Sequence, residues 1–222
     1  MTEEMAQSWE RLLQGVRSFR RDIYPANRHL YESVATEGQR PHTLLITCAD
    51  SRIDPELLTQ SGPGEIFVAR NIGNLVPAYG EMLGGVSAVI EFAVAALGVK
   101  HVVVCGHSDC GAMKALIDPA SIASMPTVTQ WLRNAAAALS VVQARQPGAT
   151  PAVMVEKLIE ANVLLQLDHL RTHPSVAGRL ALGNVSLHGW VYHIGTGMVS
   201  MYDPASGAFQ PINSGESAPV SS

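Results

Sequence analysis

Charge is what this sequence has least of. Asp, Glu, Lys and Arg supply 15% of its 222 residues, against roughly 25% in an average soluble chain. A surface so poor in charge is expected to hide part of itself against further copies of the chain. No excess of positive charge is present either: 15 basic and 19 acidic residues leave a formal net charge of −4. That excludes the basic footprint of a nucleic-acid binder. Long hydrophobic runs are missing. The most apolar stretch, Gly84 to Val99, contains Glu91. It falls short of the roughly 18 residues of a membrane span and reads as a buried core helix. The opening residues Met1-Thr2-Glu3-Glu4 are acidic and lead into no apolar core, unlike a secretory signal. Cysteine is sparse, three in all. An odd number in a long chain makes no disulfide framework, so a reducing compartment, the cytoplasm, is expected and the thiols are free. No internal repeat occurs. No G-x-G-x-x-G follows a strand, and neither a phosphate-binding G-x-x-x-x-G-K-[ST] nor a G-x-S-x-G nucleophile elbow is found.

Apolar residues make up 47% of the chain, enough for a buried core and too many for a disordered one. The length fits one domain spanning residues 1–222. Residues 1–40 read as a helical arm: Trp9, Leu12, Leu13, Val16 and Phe19 recur at helical spacing, Pro25 interrupts, and a second helix covers Ala26 to Thr36. The arm has two equal options, packing on a neighbouring chain or on its own domain. His42 to Cys48 and His101 to Gly106 are short, nearly continuous apolar runs, as expected of strands buried on both faces. Glu65 to Arg70 is a further strand. Helices are expected over Gly84–Leu97, from near Cys110, over Thr127–Ala144 and over Pro151–Arg171. Ser186–Ile194 and Met198–Asp203 alternate as a closing hairpin, and the Ser-rich residues 213–222 read as a flexible tail. Strands alternating with helices imply an α/β fold with a mostly parallel sheet. Ligands in such sheets sit beyond the carboxyl ends of the strands.

Two segments fall at those ends. Cys48-Ala49-Asp50-Ser51-Arg52 closes the first strand, and His107-Ser108-Asp109-Cys110-Gly111 follows the third. Together they offer two thiolates and one imidazole, a set suited to Zn(II). Three protein ligands leave a fourth tetrahedral position open, as in catalytic sites. Taken singly, a cysteine at a strand end is ordinary core filler. Cys105 closes the apolar run Val102-Val103-Val104 and is assigned to the core. Asp50 beside Arg52 is held ionised, so it is no strong base. Outside a metal site such a pair is a plain salt bridge.

The ordered segments C-x-D-S-R, R-N-x-x-N (Arg70-Asn71-Ile72-Gly73-Asn74) and H-S-x-C-G, with Leu187-His188-Gly189-Trp190-Val191-Tyr192 near the end, strongly resemble the β-class carbonic anhydrases. The plant and bacterial branch that includes the cyanate-operon enzyme is the most similar. The likeness runs from about Phe19 to about Phe209. It implies one zinc per chain on Cys48, His107 and Cys110, and reversible hydration of CO2 to bicarbonate and a proton by zinc hydroxide. Asp50 and Arg52 match the catalytic dyad, in which Asp50 orients the hydroxide and Arg52 keeps Asp50 off the metal. Gln39 matches a glutamine that donates to a substrate oxygen, with the Gly111 backbone N–H as a second donor. Ile53, Phe67, Ile72 and Phe92 match the apolar CO2 pocket. In the family the glutamine and some of the aromatics come from a neighbouring chain, so the resemblance implies a homodimer or a larger tetramer or octamer.

Three positions depart from the commonest pattern. Ala49 replaces Ser, Phe92 replaces Tyr, and Leu45 stands where the bicarbonate-inhibited branch carries Trp and can close its site with Asp50 as fourth ligand. Leu45 therefore argues for an open site. The alternatives on the same residues are a hydrolase of CS2 or COS and a zinc-stabilised protein without catalysis. The intact Asp50–Arg52 pair argues against the second. His42 and His101, near strand starts, are weak proton-shuttle candidates.

Overall fold

Six strands form one sheet in the order β2-β1-β3-β4-β5-β6 in a computed structural model that describes residues 2–80 and 84–212. In chain order, the elements begin with α1 (Glu3–Ser18), a π-helical turn Phe19–Ile23, the short α2 (Tyr24–Ala26) and α3 (Arg28–Glu37). Strand β1 (Thr43–Cys48), α4 (Pro55–Thr59), β2 (Ile66–Asn71), α5 (Gly85–Glu91) and β3 (His101–His107) follow. Then come α6 (Gly111–Ile117), α7 (Pro126–Leu132), α8 (Ala136–Arg145), α9 (Pro151–Thr172) and α10 (Pro174–Ala181). The chain closes with β4 (Ser186–His193), β5 (Met198–Asp203) and β6 (Ala208–Pro211).

β1 is parallel to both β2 and β3, and β3 is parallel to β4. The β4–β5 and β5–β6 pairs are antiparallel. The α/β class and the closing hairpin stand as expected, but the hairpin's first strand also completes the parallel sheet and a third strand, β6, follows it. Alternation along the strands sends side chains to opposite faces. Leu44 and Ile46 of β1, with Val102 and Val104 of β3, enter the main core under α9. Leu45, Val103 and Cys105 face the other way, beside Trp190 and Tyr192. Cys105 is thus buried as expected, though in the smaller cluster, and burial pushes its thiol up to about 12.

Two glycines let α9 lie close on the sheet. A Cβ at Gly189 would stand 2.8 Å from Val163 Cγ1, and one at Gly106 would stand 2.9 Å from Val163 Cγ2. Gly189→Ala is therefore expected to destabilise the fold by ~1–3 kcal/mol through overpacking. Urea unfolding checks this: the midpoint should fall at unchanged slope, and a wild-type midpoint would remove the close-packing role.

The arm differs from expectation in one detail. Pro25 does not end the helical backbone, which widens into the π-helical turn Phe19–Ile23 just before it; the break falls at Asn27, whose φ of −117° and ψ of 18° leave helical space. α1 buries none of its residues, and Met5, Trp9, Leu12, Val16 and Phe19 stay exposed. α3 does touch its own domain, since Val34 Cγ1 lies 3.3 Å from where a Gly64 Cβ would stand and Leu30 Cδ2 lies 3.7 Å from a Gly62 Cβ. The expected Gly84–Leu97 helix is α5 running into a π-helical turn, Phe92–Leu97. Thr127–Ala144 divides into α7 and α8 around a 3₁₀ turn, Arg133–Ala135. The expected tail, residues 213–222, lies outside the described residues. Among the described residues no helix is long and apolar enough to cross a membrane.

Candidate metal centre

Parallel register places the ends of β1 and β3 side by side, with Thr47 opposite Cys105. Cys48 is the last residue of β1 and His107 the last of β3. A tight turn with Asp109 at φ 62° brings the chain to Cys110, which caps α6. The Sγ atoms of Cys48 and Cys110 and a ring nitrogen of His107 all lie within 4.8 Å of one another, and all three residues are buried. His107 Nδ1 lies 2.9 Å from the Ser108 carbonyl oxygen. A carbonyl only accepts, so Nδ1 carries the proton and Nε2 keeps its lone pair. That Nε2 is buried without a hydrogen-bond partner, an arrangement rare enough to need a reason. Two thiols and one unpartnered imidazole nitrogen converging on one point fit a zinc ion, with a fourth position left open.

The charges favour the same reading. A hydrogen bond from the Cys110 thiol holds Cys48 well below the ordinary cysteine value, helped by the Gly73 N–H at 3.4 Å. Cys110 is pushed up in turn, because it supplies that proton and is itself buried. A dication between the sulfurs would favour the thiolate of both.

Asp50 stands beside this cluster, its Oδ2 3.9 Å from His107 Nε2. Arg52 grips it in parallel: Nε donates to Oδ1 at 2.9 Å and Nη2 to Oδ2 at 2.8 Å, while the Arg52 backbone N–H reaches Oδ1 at 3.0 Å. The guanidinium holds the Asp50 carboxyl well below the usual carboxylate range.

Several supporting contacts were not visible in the sequence. Asp109 accepts a second Arg52 bond at 2.9 Å and also pairs with Lys114, so Arg52 bridges two carboxylates. Arg70 donates to the carbonyls of Cys48, at 3.2 Å, and Asp50, at 2.7 Å, pinning the turn between them. Asn162 of α9 donates to the Gly73 carbonyl at 3.1 Å, and Gln166 accepts from the Val76 N–H at 2.8 Å. Gly73 needs its φ of 78°, and a Cβ there would meet Ala112 at 3.0 Å. Arg70, Asn71 and Asn74 were visible as a motif; the partners on α9 lie some ninety residues away and carry no local pattern.

The expected pocket residues do not all gather here. Ile53 is buried in the core near the Cys48 turn, and Gly111 opens α6. Ile72 follows β2 with its side chain 44% exposed. Gln39 precedes β1, so five strand residues separate its end of the strand from Cys48. Its Cα sits 3.9 Å from where a Gly64 Cβ would be. Phe67 and Phe92 pair at 6.0 Å between centroids, and Phe92 is 49% exposed. Within one chain, Gln39 is kept apart from the ligand cluster.

The carbonic anhydrase family model matches residues 43–199. The chain belongs to the carbonic anhydrase family, in its β class. A carbonic anhydrase of Pseudomonas aeruginosa is 50% identical over 198 residues, 89% of each chain. The solved β-carbonic anhydrase CcaA superposes with a TM-score of 0.90 at 39% identity, covering 94% of this chain and 93% of its own. A tetrameric β-carbonic anhydrase of Sordaria macrospora superposes at 0.77 with 27% identity, covering 92% and 99%. The resemblance drawn from the three motifs therefore holds at the level of family and fold.

Proposed function

We propose that this chain catalyses the reversible hydration of CO2 to bicarbonate and a proton, with zinc on Cys48, His107 and Cys110. The observation that carries the reading is the buried, unpartnered His107 Nε2 between two thiols and 3.9 Å from an Arg52-held carboxylate. A zinc ion held by Cys48, His107 and Cys110 would lower the pKa of a coordinated water to about 7 and so supply hydroxide at neutral pH. Asp50, ionised and therefore acceptor-only, would accept a hydrogen bond at Oδ2 from a hydroxide at the fourth position and so orient it. Arg52 fixes the carboxylate in that direction and competes with the metal for it. The Gly111 N–H and Gln39 are the neutral donors for substrate oxygens; neutrality stabilises developing charge without trapping the anionic product. Ile53, Phe67, Ile72 and Phe92 form the apolar wall for CO2.

Gln39, Phe67 and Phe92 reach the metal of a second copy in this reading. The exposed apolar stripe of α1 and the low charge content support a homodimer or a larger assembly. Free thiols that must serve as ligands suit the reducing cytoplasm.

Zinc analysis together with stopped-flow CO2 hydration tests the activity, and CS2 is assayed in parallel. About one zinc per chain with CO2 turnover is expected; a zinc-loaded chain that turns over CS2 alone would overturn it. Light scattering tests the shared site, which an active monomer would refute. Because Leu45 leaves the site open, the rate is expected to follow one titration near about pH 7. A steep collapse below about pH 8 would instead mark Asp50 as a fourth ligand.

A further inference from the structure

At the opposite end of β3 from His107, two imidazoles and a hydroxyl meet. His101 opens β3 and stands in register with Ser186, the first residue of β4; His188 lies two residues further along on the same face. His101 Nδ1 is 2.8 Å from Ser186 Oγ and 3.3 Å from His188 Nε2, and Ser186 Oγ is 2.8 Å from the same Nε2. The rings tilt by 54° with centroids 5.3 Å apart, so the two nitrogens converge rather than stack. Zinc–nitrogen bonds of about 2.0–2.1 Å in a tetrahedron set the nitrogens roughly 3.3–3.4 Å apart. The pair already stands at that spacing.

The pair also has access. His101 is exposed, and both rings line a cavity of about 520 Å³ shared with His42, Glu65, Thr59 and Ser61. Water entering the cavity completes the coordination sphere. Burial, then the neighbouring His101 ring, holds His188 below the ordinary histidine value. The neutral ring is the form that binds metal. Six residue-to-residue steps along β3 carry the chain from His101 to His107, or about 20 Å at roughly 3.3 Å per step.

We propose that His101 Nδ1 and His188 Nε2 form a second site for a divalent transition-metal ion, with Ser186 beside them. Imidazole pairs suit Zn²⁺, Cu²⁺ and Ni²⁺ and do not select Mg²⁺ or Ca²⁺. Each neutral ring binds through the converging nitrogen and keeps its proton on the far one. The site is independent of the one at Cys48, His107 and Cys110.

Protein carrying one zinc per chain is dialysed against micromolar Zn²⁺ and its metal content measured. The expected stoichiometry is two per chain for wild type. His101→Ala and His188→Gln should each return it to one, with the first equivalent retained. Cu²⁺ added to the zinc-loaded wild type provides a readout that needs no variant: its electron paramagnetic resonance spectrum should show two nitrogen ligands, with no zinc released. A wild type that takes up no second equivalent overturns the site, and the His101–Ser186–His188 contacts are then a hydrogen-bonded strut. A second equivalent that survives both substitutions places the metal elsewhere and overturns it equally. Loss of the first equivalent alone would count against the ligands at Cys48, His107 and Cys110, not against His101 and His188.

Discussion

Cys48→Ala is expected to leave the chain without stoichiometric zinc and without measurable CO2 hydration. Structural zinc sites with four protein ligands bind with roughly 10–16 kcal/mol, or about 2.5–4 kcal/mol per ligand. Removing one ligand from three should therefore weaken zinc by roughly 10²–10³-fold. The geometry makes Cys48 hard to replace. Its sulfur accepts from the Gly73 N–H, its carbonyl is held by Arg70, and the nearby Asp50 carboxylate is held by Arg52. The fold itself should survive, because β1 stays paired on both sides and alanine leaves only a small gap. Metal analysis, circular dichroism and stopped-flow hydration separate the outcomes. Full zinc retention in a folded variant would refute Cys48 as a ligand.

The ligands were legible because each sits within a short segment at a strand end, where parallel α/β sheets collect their chemistry. Cys48, Asp50 and Arg52 span one turn, and His107 and Cys110 span the next. Register between β1 and β3, which sets Thr47 opposite Cys105, does the rest. What escaped was the material that acts across the chain. Asn162 and Gln166 hold the Gly73–Val76 segment from α9, yet in sequence they are two polar residues inside an apolar helix. Asp109 reads as a turn residue; its second role appears only when Arg52 lies against it. α4 was missed because five residues are too few for a helical period, although its Asp54 cap and first-turn Pro55 are ordinary start signals. The face taken by Cys105 depends on the parity of β3, and a continuous apolar run hides that parity.

Asp50→Asn is expected to keep its zinc and lose most of its turnover, with kcat/KM down by roughly 10²–10³-fold, as when a fixed hydrogen-bonding partner of the reacting group is removed. The amide presents NH2 where the carboxylate offers an acceptor, so it either turns its donor toward the hydroxide or breaks one arm of the Arg52 fork. Metal content separates this from ligand loss, and wild-type rates would refute the role of Asp50. The acidity of Asp50 sharpens the test. Arg52 depresses its folded-state pKa. The stability this supplies is therefore present above the ordinary carboxylate value and is lost only as pH falls through the lower, folded value. The pair is charged throughout the neutral range, so Asp50 contributes no titration to the rate there. Arg52→Ala removes that hold. With Oδ2 already 3.9 Å from His107 Nε2, the freed carboxylate can turn onto the metal and displace the fourth ligand. The variant should lose activity most below about pH 8, where hydroxide competes poorly with a carboxylate for the metal, and regain part of it as pH rises. A rate that falls equally at every pH would show that Arg52 acts on substrate rather than through Asp50.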